Sequence, residues 1–331
     1  MSADIEQRKD WFQQAGWGVF THYLAREEQS AEEWDRQVAA FDVEGLAGQL
    51  AEVGAGYYTI TLGQNSGHYC TPNATYDRLT GLGPSKCASR DLIADLYEAL
   101  QARGLALMVY LPAGAPDRDA AAVAALGWEC GIHFWWDTPG GSRDAGGRPR
   151  AEGNPRLADF QRKWEEIIGE WSLRWGTGVR GWWVDGCYYP DMYAHPDPPN
   201  WHSFAAALRA GNPESLVAFN PGVFVDLPVM SDEEDYTPGE IGDEFPECEG
   251  RWIHGVQWHV LSYVAHWWGG CTHPDGSDGR PQRLSTEWLV DYTRRTLAHG
   301  GVLSWDVPIL PSGLLAPEYV PILRAVGEAT R

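Results

Sequence analysis

The stretch RGWWVDGCYY, residues 180–189, decides how the chain is read. Trp182, Trp183 and Val184 make a short apolar run, the pattern of a buried strand. Asp185 ends that run and Gly186 follows it. An acid there either caps a turn, since Asp-Gly is a common turn pair, or faces a pocket at the strand's carboxyl end. Upstream, PRLADFQRKWEEIIGEWSLRWG (155–176) has helical spacing and a terminal glycine.

The same alternation runs outward in both directions. WGVFTH (17–22), GYYTITL (56–62), LALMVYL (105–111), SLVAFN (215–220) and VLSWDV (302–307) read as strands. VEGLAGQLAEVG (43–54), RDLIADLYEALQARG (90–104), FAAALRAG (204–211) and STEWLVDYTRRTLAHGG (285–301) read as helices. Repeated βα units over this length favour a (β/α)8 barrel, and no GxGxxG follows the first strand to support a doubly wound dinucleotide fold. His22, Gln64, Asn65, Asp185, Asn220 and Asp306 stand at or just after strand ends, which a parallel barrel gathers on one face. The segments 112–154 and 186–200, rich in Gly, Pro, Asp and Arg, are too long for minimal turns. They read as active-site loops or as a homo-oligomer contact. No linker, second core or internal repeat is visible, so residues 1–331 read as a single domain.

Lys and Arg total 25 against 46 Asp and Glu, a formal charge of −21. That balance argues against nucleic acid and anionic membranes as partners. The 18 tryptophans and 14 tyrosines suit the apolar faces and polar rims of sugars, although most such side chains in any protein are core. The polar start MSADIEQRKD has no apolar signal region, and no run is long enough to span a membrane. The six cysteines are scattered without a CxxC pair and read as reduced thiols, which points to the cytoplasm.

Five segments, in order, resemble the α-L-fucosidases of glycoside hydrolase family 29. They are WFQQAGWGVFTHYL (11–24), VGAGYYTITLGQNSGHYCTPNATYD (53–77), RDLIADLYEALQARGLALMVYLP (90–112), GWWVDG (181–186) and LAHGGVLSWDVPILPSGLL (297–315). The resemblance implies an irregular (β/α)8 TIM-like barrel, here without the C-terminal β-sandwich many members carry. It implies a retaining exo-glycosidase with a carbohydrate substrate and no cofactor. Asp185 matches the family's nucleophile, and DYTPGE (235–240) resembles the stretch that carries the proton donor, pointing to Glu240, with Glu247 and Glu244 as alternatives. His22 falls on the sugar-binding histidine, and Glu33 and Trp34 on a Glu-Trp pair lining the sugar pocket. Tyr110 and Trp183 sit where pocket aromatics belong and equally where core belongs.

Two departures stand out. The family's His-His pair after the second strand is replaced by Gln64 and Asn65, which still donate and accept hydrogen bonds but do not titrate. The arginine after the fifth strand is replaced by FNPG (219–222). Both point to an altered sugar grip.

Two other classes compete. His254, His259, His266, His273 and Asp275 crowd one region as in a metal-dependent hydrolase, but their spacing fits no ligand signature. A non-catalytic carbohydrate-binding barrel would keep the aromatics and tolerate loss of the carboxylates. No GxSxG elbow supports a serine hydrolase.

Overall fold

The computed structural model describes residues 3–26, 28–128, 156–188, 192–269 and 282–331. In chain order the elements begin α1 (Ala3–Ala15), β1 (Trp17–Thr21), α2 (Ala31–Ala39), α3 (Val43–Val53), β2 (Tyr57–Thr61), α4 (Ala74–Thr80) and α5 (Leu92–Gln101). Next come β3 (Ala106–Pro112), α6 (Ala120–Leu126), α7 (Ala158–Trp175), β4 (Val179–Asp185), α8 (Trp201–Leu208) and β5 (Leu216–Phe219). The chain continues through β6 (Trp252–Ile253), β7 (Val256–Gln257), β8 (His259–Tyr263), α9 (Thr286–Ala298), β9 (Val302–Asp306) and α10 (Val320–Thr330).

Seven strands form one parallel sheet in the order β5-β4-β3-β2-β1-β9-β8. The gap between its edges is filled by an irregular segment, 234–241. On one side, Asp235 N–H donates to Val217 O at 2.8 Å, while two carboxylates take strand amides: Val217 N–H to Asp235 Oδ2 at 3.0 Å and Phe219 N–H to Glu234 Oε1 at 2.9 Å. On the other side, Leu261 N–H donates to Gly239 O at 2.8 Å and Ile241 N–H to Leu261 O at 3.0 Å. The sheet is thereby closed into a TIM-like barrel, with acid side chains standing in for strand backbone at the seam. Asp235, fully buried, also accepts from Arg8 of α1 and from Arg209.

The period of two along each strand sorts its side chains. Phe20, Tyr57, Met108, Tyr110, Trp183, Ala218, Leu261 and Val302 fill the barrel interior. Their neighbours Val19, Tyr58, Val109, Trp182, Val184 and Leu303 pack outward against the helices. Gly18 is what lets the Tyr57 ring lie inside: a Cβ there would come within 2.5 Å of that ring. Phe12 of α1 plugs the barrel floor, its ring 5.0 Å from those of Tyr57 and Tyr236.

Helix α7 illustrates the outer layer. Phe160, Trp164, Ile167, Ile168, Trp171 and Trp175 recur at helical spacing and are all buried. Each contributes about 1.5–3 kcal/mol by leaving water. No helix among the described residues is long and apolar enough to cross a membrane.

Candidate active site

The interior register carries chemistry to the carboxyl ends of the strands. His22 lies two residues past inward-facing Phe20, Asp185 two past Trp183, Asn220 two past Ala218, and Asp306 four past Val302. All four therefore project into the same mouth. Asp185, His22, Gln64, Tyr110, Trp183 and Glu240 line one cavity of about 790 Å³, which runs over the β1 and β9 rim past Arg26 and Pro311.

Asp185 is held by both oxygens. Tyr110 O–H donates to Oδ2 at 2.7 Å and Asn220 Nδ2 donates to Oδ1 at 2.9 Å. Gln64 Nε2 in turn donates to the Tyr110 oxygen at 2.7 Å. Trp183 stacks on Tyr110, with centroids 5.5 Å apart and planes 20° apart, and ties its indole N–H to Pro238 O at 2.8 Å. Burial, then the neighbouring Asp185 charge, pushes the Tyr110 phenol well above its ordinary range, so it stays a donor.

Glu240 arrives from the seam rather than from a regular strand. Gly239, at φ +64°, brings it in: a Cβ at that position would lie 2.1 Å from His259 O. Glu240 Oε2 accepts from the same Asn220 Nδ2 at 2.5 Å. Two bonds of 2.9 and 2.5 Å to one nitrogen cannot set the bonded oxygens of Asp185 and Glu240 more than about 5.4 Å apart. Burial and then the Asp185 charge raise the Glu240 carboxyl to about 8, against the smaller pull of the Asn220 bond and His22. One carboxyl is thus disposed to keep its proton beside another that is clamped by donors.

His22 Nδ1 lies 2.9 Å from Asp306 Oδ1. Trp268 stands over its ring at 6.1 Å, and Trp267, 61% exposed, sits at the cavity rim. Burial works against a charged imidazole, but Asp306, with Asp185 and Glu240 behind it, outweighs burial and raises its pKa.

Several residues singled out from the sequence lie elsewhere. Trp34 is 0% exposed and gives its indole N–H to Tyr69 O at 2.9 Å, so it is core. Glu33 closes a capping box on α2 with Ser30, the donor atoms at 2.9 and 3.2 Å, and is away from the cavity. Asn65 accepts the Arg118 N–H on its carbonyl and does not line the cavity. Of the two carboxamides, Gln64 alone reaches it, with one N–H already given to Tyr110. Glu247 pairs with Arg295 on the surface, and Glu244 is exposed.

Nor do the described members of the histidine region converge. His259 is on β8 inside the barrel, Nδ1 at 2.9 Å from Thr237 O and Nε2 at 2.9 Å from Ser304 Oγ. His254 and His266 are exposed, and His273 and Asp275 lie outside the described residues. No group of three metal-binding side chains occurs among the described residues. Sequence reasoning gave no role to Asn220, Asp306 or Trp268. The first two were visible as polar strand ends, the signal they share with His22, Gln64 and Asp185.

No protein-family model and no curated protein sequence matches the chain. Solved structures do. The endo-fucoidan hydrolase MfFcnA9 of glycoside hydrolase family 107 superposes with a TM-score of 0.70 at 14% identity, over 99% of this chain and 64% of its own length. Against the endo-fucoidan hydrolase P5AFcnA the TM-score is 0.69 at 16% identity, over 98% and 93% of the two chains. Against the α-L-fucosidase AlfC from Lactobacillus casei, in complex with its α-L-fucose product, it is 0.62 at 16% identity, over 98% of both. The chain has the barrel fold of these fucose-cleaving glycoside hydrolases.

Proposed function

We propose that the protein is a retaining exo-glycosidase acting on α-L-fucosides or closely related deoxy or L-galactose-type sugars, with Asp185 as nucleophile and Glu240 as acid and base. The observation that carries this reading is the shared Asn220 nitrogen. It links the two carboxyl groups through one atom, with their bonded oxygens at most about 5.4 Å apart, which suits the ~5–5.5 Å separation of retaining enzymes. The raised Glu240 supports a proton donor, and the two donors that fix both Asp185 oxygens support its place as nucleophile.

Attack by Asp185 on the anomeric carbon would form a glycosyl ester as Glu240 protonates the departing oxygen. Glu240 would then take a proton from the incoming water. Cleavage within a chain is the second reading. It is favoured by a cavity of about 790 Å³, several times the ~200 Å³ of a single pyranose reckoned as six or so waters.

The test is a screen of p-nitrophenyl glycosides, α-L-fucoside included, with NMR of the first-formed anomer and sizing of the products from a polymeric fucan. Retention with release of single sugars supports the proposal; inversion sinks it. Asp185→Asn should cost roughly 10³-fold or more in turnover with the fold intact.

A further inference from the structure

We propose that Asn220 is a positioning residue whose one amide nitrogen stabilises the single negative charge of the Asp185–Glu240 pair as that charge passes from one carboxylate to the other. The proposal rests on the retaining reading above.

Asn220 is wholly buried and every polar group it has is engaged. Its backbone N–H donates to Val184 O at 2.7 Å and its carbonyl accepts the Cys187 N–H at 2.8 Å, fixing it to the end of β4 beside Asp185. The Gly222 N–H donates to its side-chain Oδ1 at 3.2 Å, so the loop's own backbone sets which way the amide faces. Reversing the amide would aim an acceptor at two carboxyl groups and an NH2 at an N–H. In the observed orientation the two hydrogens of Nδ2 are directed one to each carboxyl group, Asp185 Oδ1 at 2.9 Å and Glu240 Oε2 at 2.5 Å.

The electron count gives this fork its use. At rest the pair carries one negative charge, on Asp185, and one proton, on Glu240. In the first half-reaction an Asp185 oxygen pair forms a bond to the anomeric carbon. The bond to the leaving oxygen breaks, and that oxygen takes the Glu240 proton. Asp185 is now a neutral ester and Glu240 carries the charge. In the second half, Glu240 removes a proton from water, the water oxygen bonds to the anomeric carbon, and the ester bond returns its electrons to Asp185. The pair's total charge is minus one throughout; only its place changes. A donor fixed to one carboxylate would stabilise one end of that path. Asn220 is bonded to both ends and needs no movement between them, which is electrostatic preorganisation.

Among the described residues, the other titratable groups facing the pair are His22 just past β1, with Asp306 behind it, Tyr110 from β3, Cys187 and Tyr188 just past β4 and Tyr263 from β8. The test therefore reads the two carboxyls themselves. Protein carrying ¹³C-carboxyl Asp and Glu is titrated by NMR as wild type and as Asn220→Ala, with Asp185→Asn and Glu240→Gln supplying the assignments. Loss of a shared donor should move both titrations to higher pH, each by about one unit. Movement of Asp185 alone, or of neither in a folded variant, overturns the shared role. Should the alanine variant fail to fold by circular dichroism, Asn220→Ser takes its place. A hydroxyl serves at most one carboxyl, so at least one titration must still rise, and two unmoved titrations overturn the proposal. A different result marks failure of the retaining reading: undiminished turnover by Asp185→Asn, which removes the charge transfer itself whatever the titrations do.

Discussion

Asp306 carries His22: its Oδ1 sits 2.9 Å from the imidazole Nδ1, while its Oδ2 takes the Gly269 N–H at 2.7 Å. The carboxylate requires a proton on Nδ1, so Nε2 is the nitrogen left for the cavity. The same acid also pins the loop that lays Trp268 over the ring. One buried side chain therefore orients both a polar and an apolar contact for a sugar.

Asp306→Asn should weaken this arrangement without removing any group that reacts. We expect KM to rise more than kcat falls, with kcat/KM down roughly tenfold, and the His22 titration to move to lower pH as its anionic partner disappears. Steady-state kinetics and imidazole NMR check the two effects separately. A kcat loss with unchanged KM would place His22 in the chemical step instead.

Glu240 sets the alkaline limb of activity. Its carboxyl is raised to about 8, so the acid form needed for leaving-group protonation is present below that pH and lost above it. We expect kcat/KM to fall above about pH 8, and Glu240→Gln to abolish that limb. The variant should lose far more rate on alkyl glycosides than on nitrophenyl ones, with azide restoring turnover. The sign for stability is the reverse of the usual carboxylate case. Between the ordinary carboxyl pKa and 8 the folded protein holds a proton that the unfolded chain has released, so stability falls as pH rises across that window. Replacing Glu240 by Gln should therefore stabilise the protein more at pH 8 than at pH 5, by on the order of 1 kcal/mol per pH unit, measured by urea denaturation at both.

Gln64 gives one N–H to Tyr110 and Asn65 does not line the cavity, so after the second strand the sugar grip comes down to the remaining N–H and the oxygen of one carboxamide. A pocket with fewer fixed donors discriminates less in favour of any one hydroxyl pattern. We expect kcat/KM for p-nitrophenyl α-L-fucoside below about 10⁴ M⁻¹s⁻¹, with another sugar of related configuration preferred. Gln64→Ala should lower kcat on every substrate, because it frees the Tyr110 hydroxyl that holds Asp185. An effect confined to KM would contradict that link.

Asp235 is buried between Arg8 and Arg209 and also takes the Val217 N–H. Asp235→Ala takes the carboxylate from Arg8 and from buried Lys9 and leaves the Val217 amide unpaired, while Arg209 keeps its bonds to Glu233. The expected cost is about 3–5 kcal/mol, read as a lower denaturation midpoint at unchanged slope.

The regular part of the barrel was legible because its strands are buried on both faces. WGVFT, YYTIT and GWWV are apolar, aromatic and β-branched runs that mark β1, β2 and the middle of β4, although β4 itself begins at Val179 and ends at Asp185. The strand-end rule likewise found Asp185, His22 and Gln64. What it missed has a common physical cause. β8 carries His259, satisfied inside the barrel, and Ser262, satisfied on the opposite face by Ile241 O and Arg283, so HVLSY looked like part of a histidine cluster rather than a strand. The 234–241 seam has no strand pattern because carboxylates share the pairing with its backbone, and a run of acids reads as solvated surface until Glu234 and Asp235 are seen to be buried and Glu240 to line the cavity. Trp34 and Glu33 came from resemblance, and local duties, a core indole and a helix cap, account for both.

The two presumed reactive carboxyls stand on supports of different kinds. Asp185 ends a strand locked by neighbours on either side, where a one-residue insertion would turn its side chain out of the mouth. Glu240 is held in register with β8 by backbone bonds on either side of it, Leu261 N–H to Gly239 O and Ile241 N–H to Leu261 O, and is met across the seam by the Asn220 side chain. Asp185 thus answers to two strand partners and Glu240 to one, so a slip of the 234–241 segment along β8 would carry off the proton donor and leave the nucleophile in place.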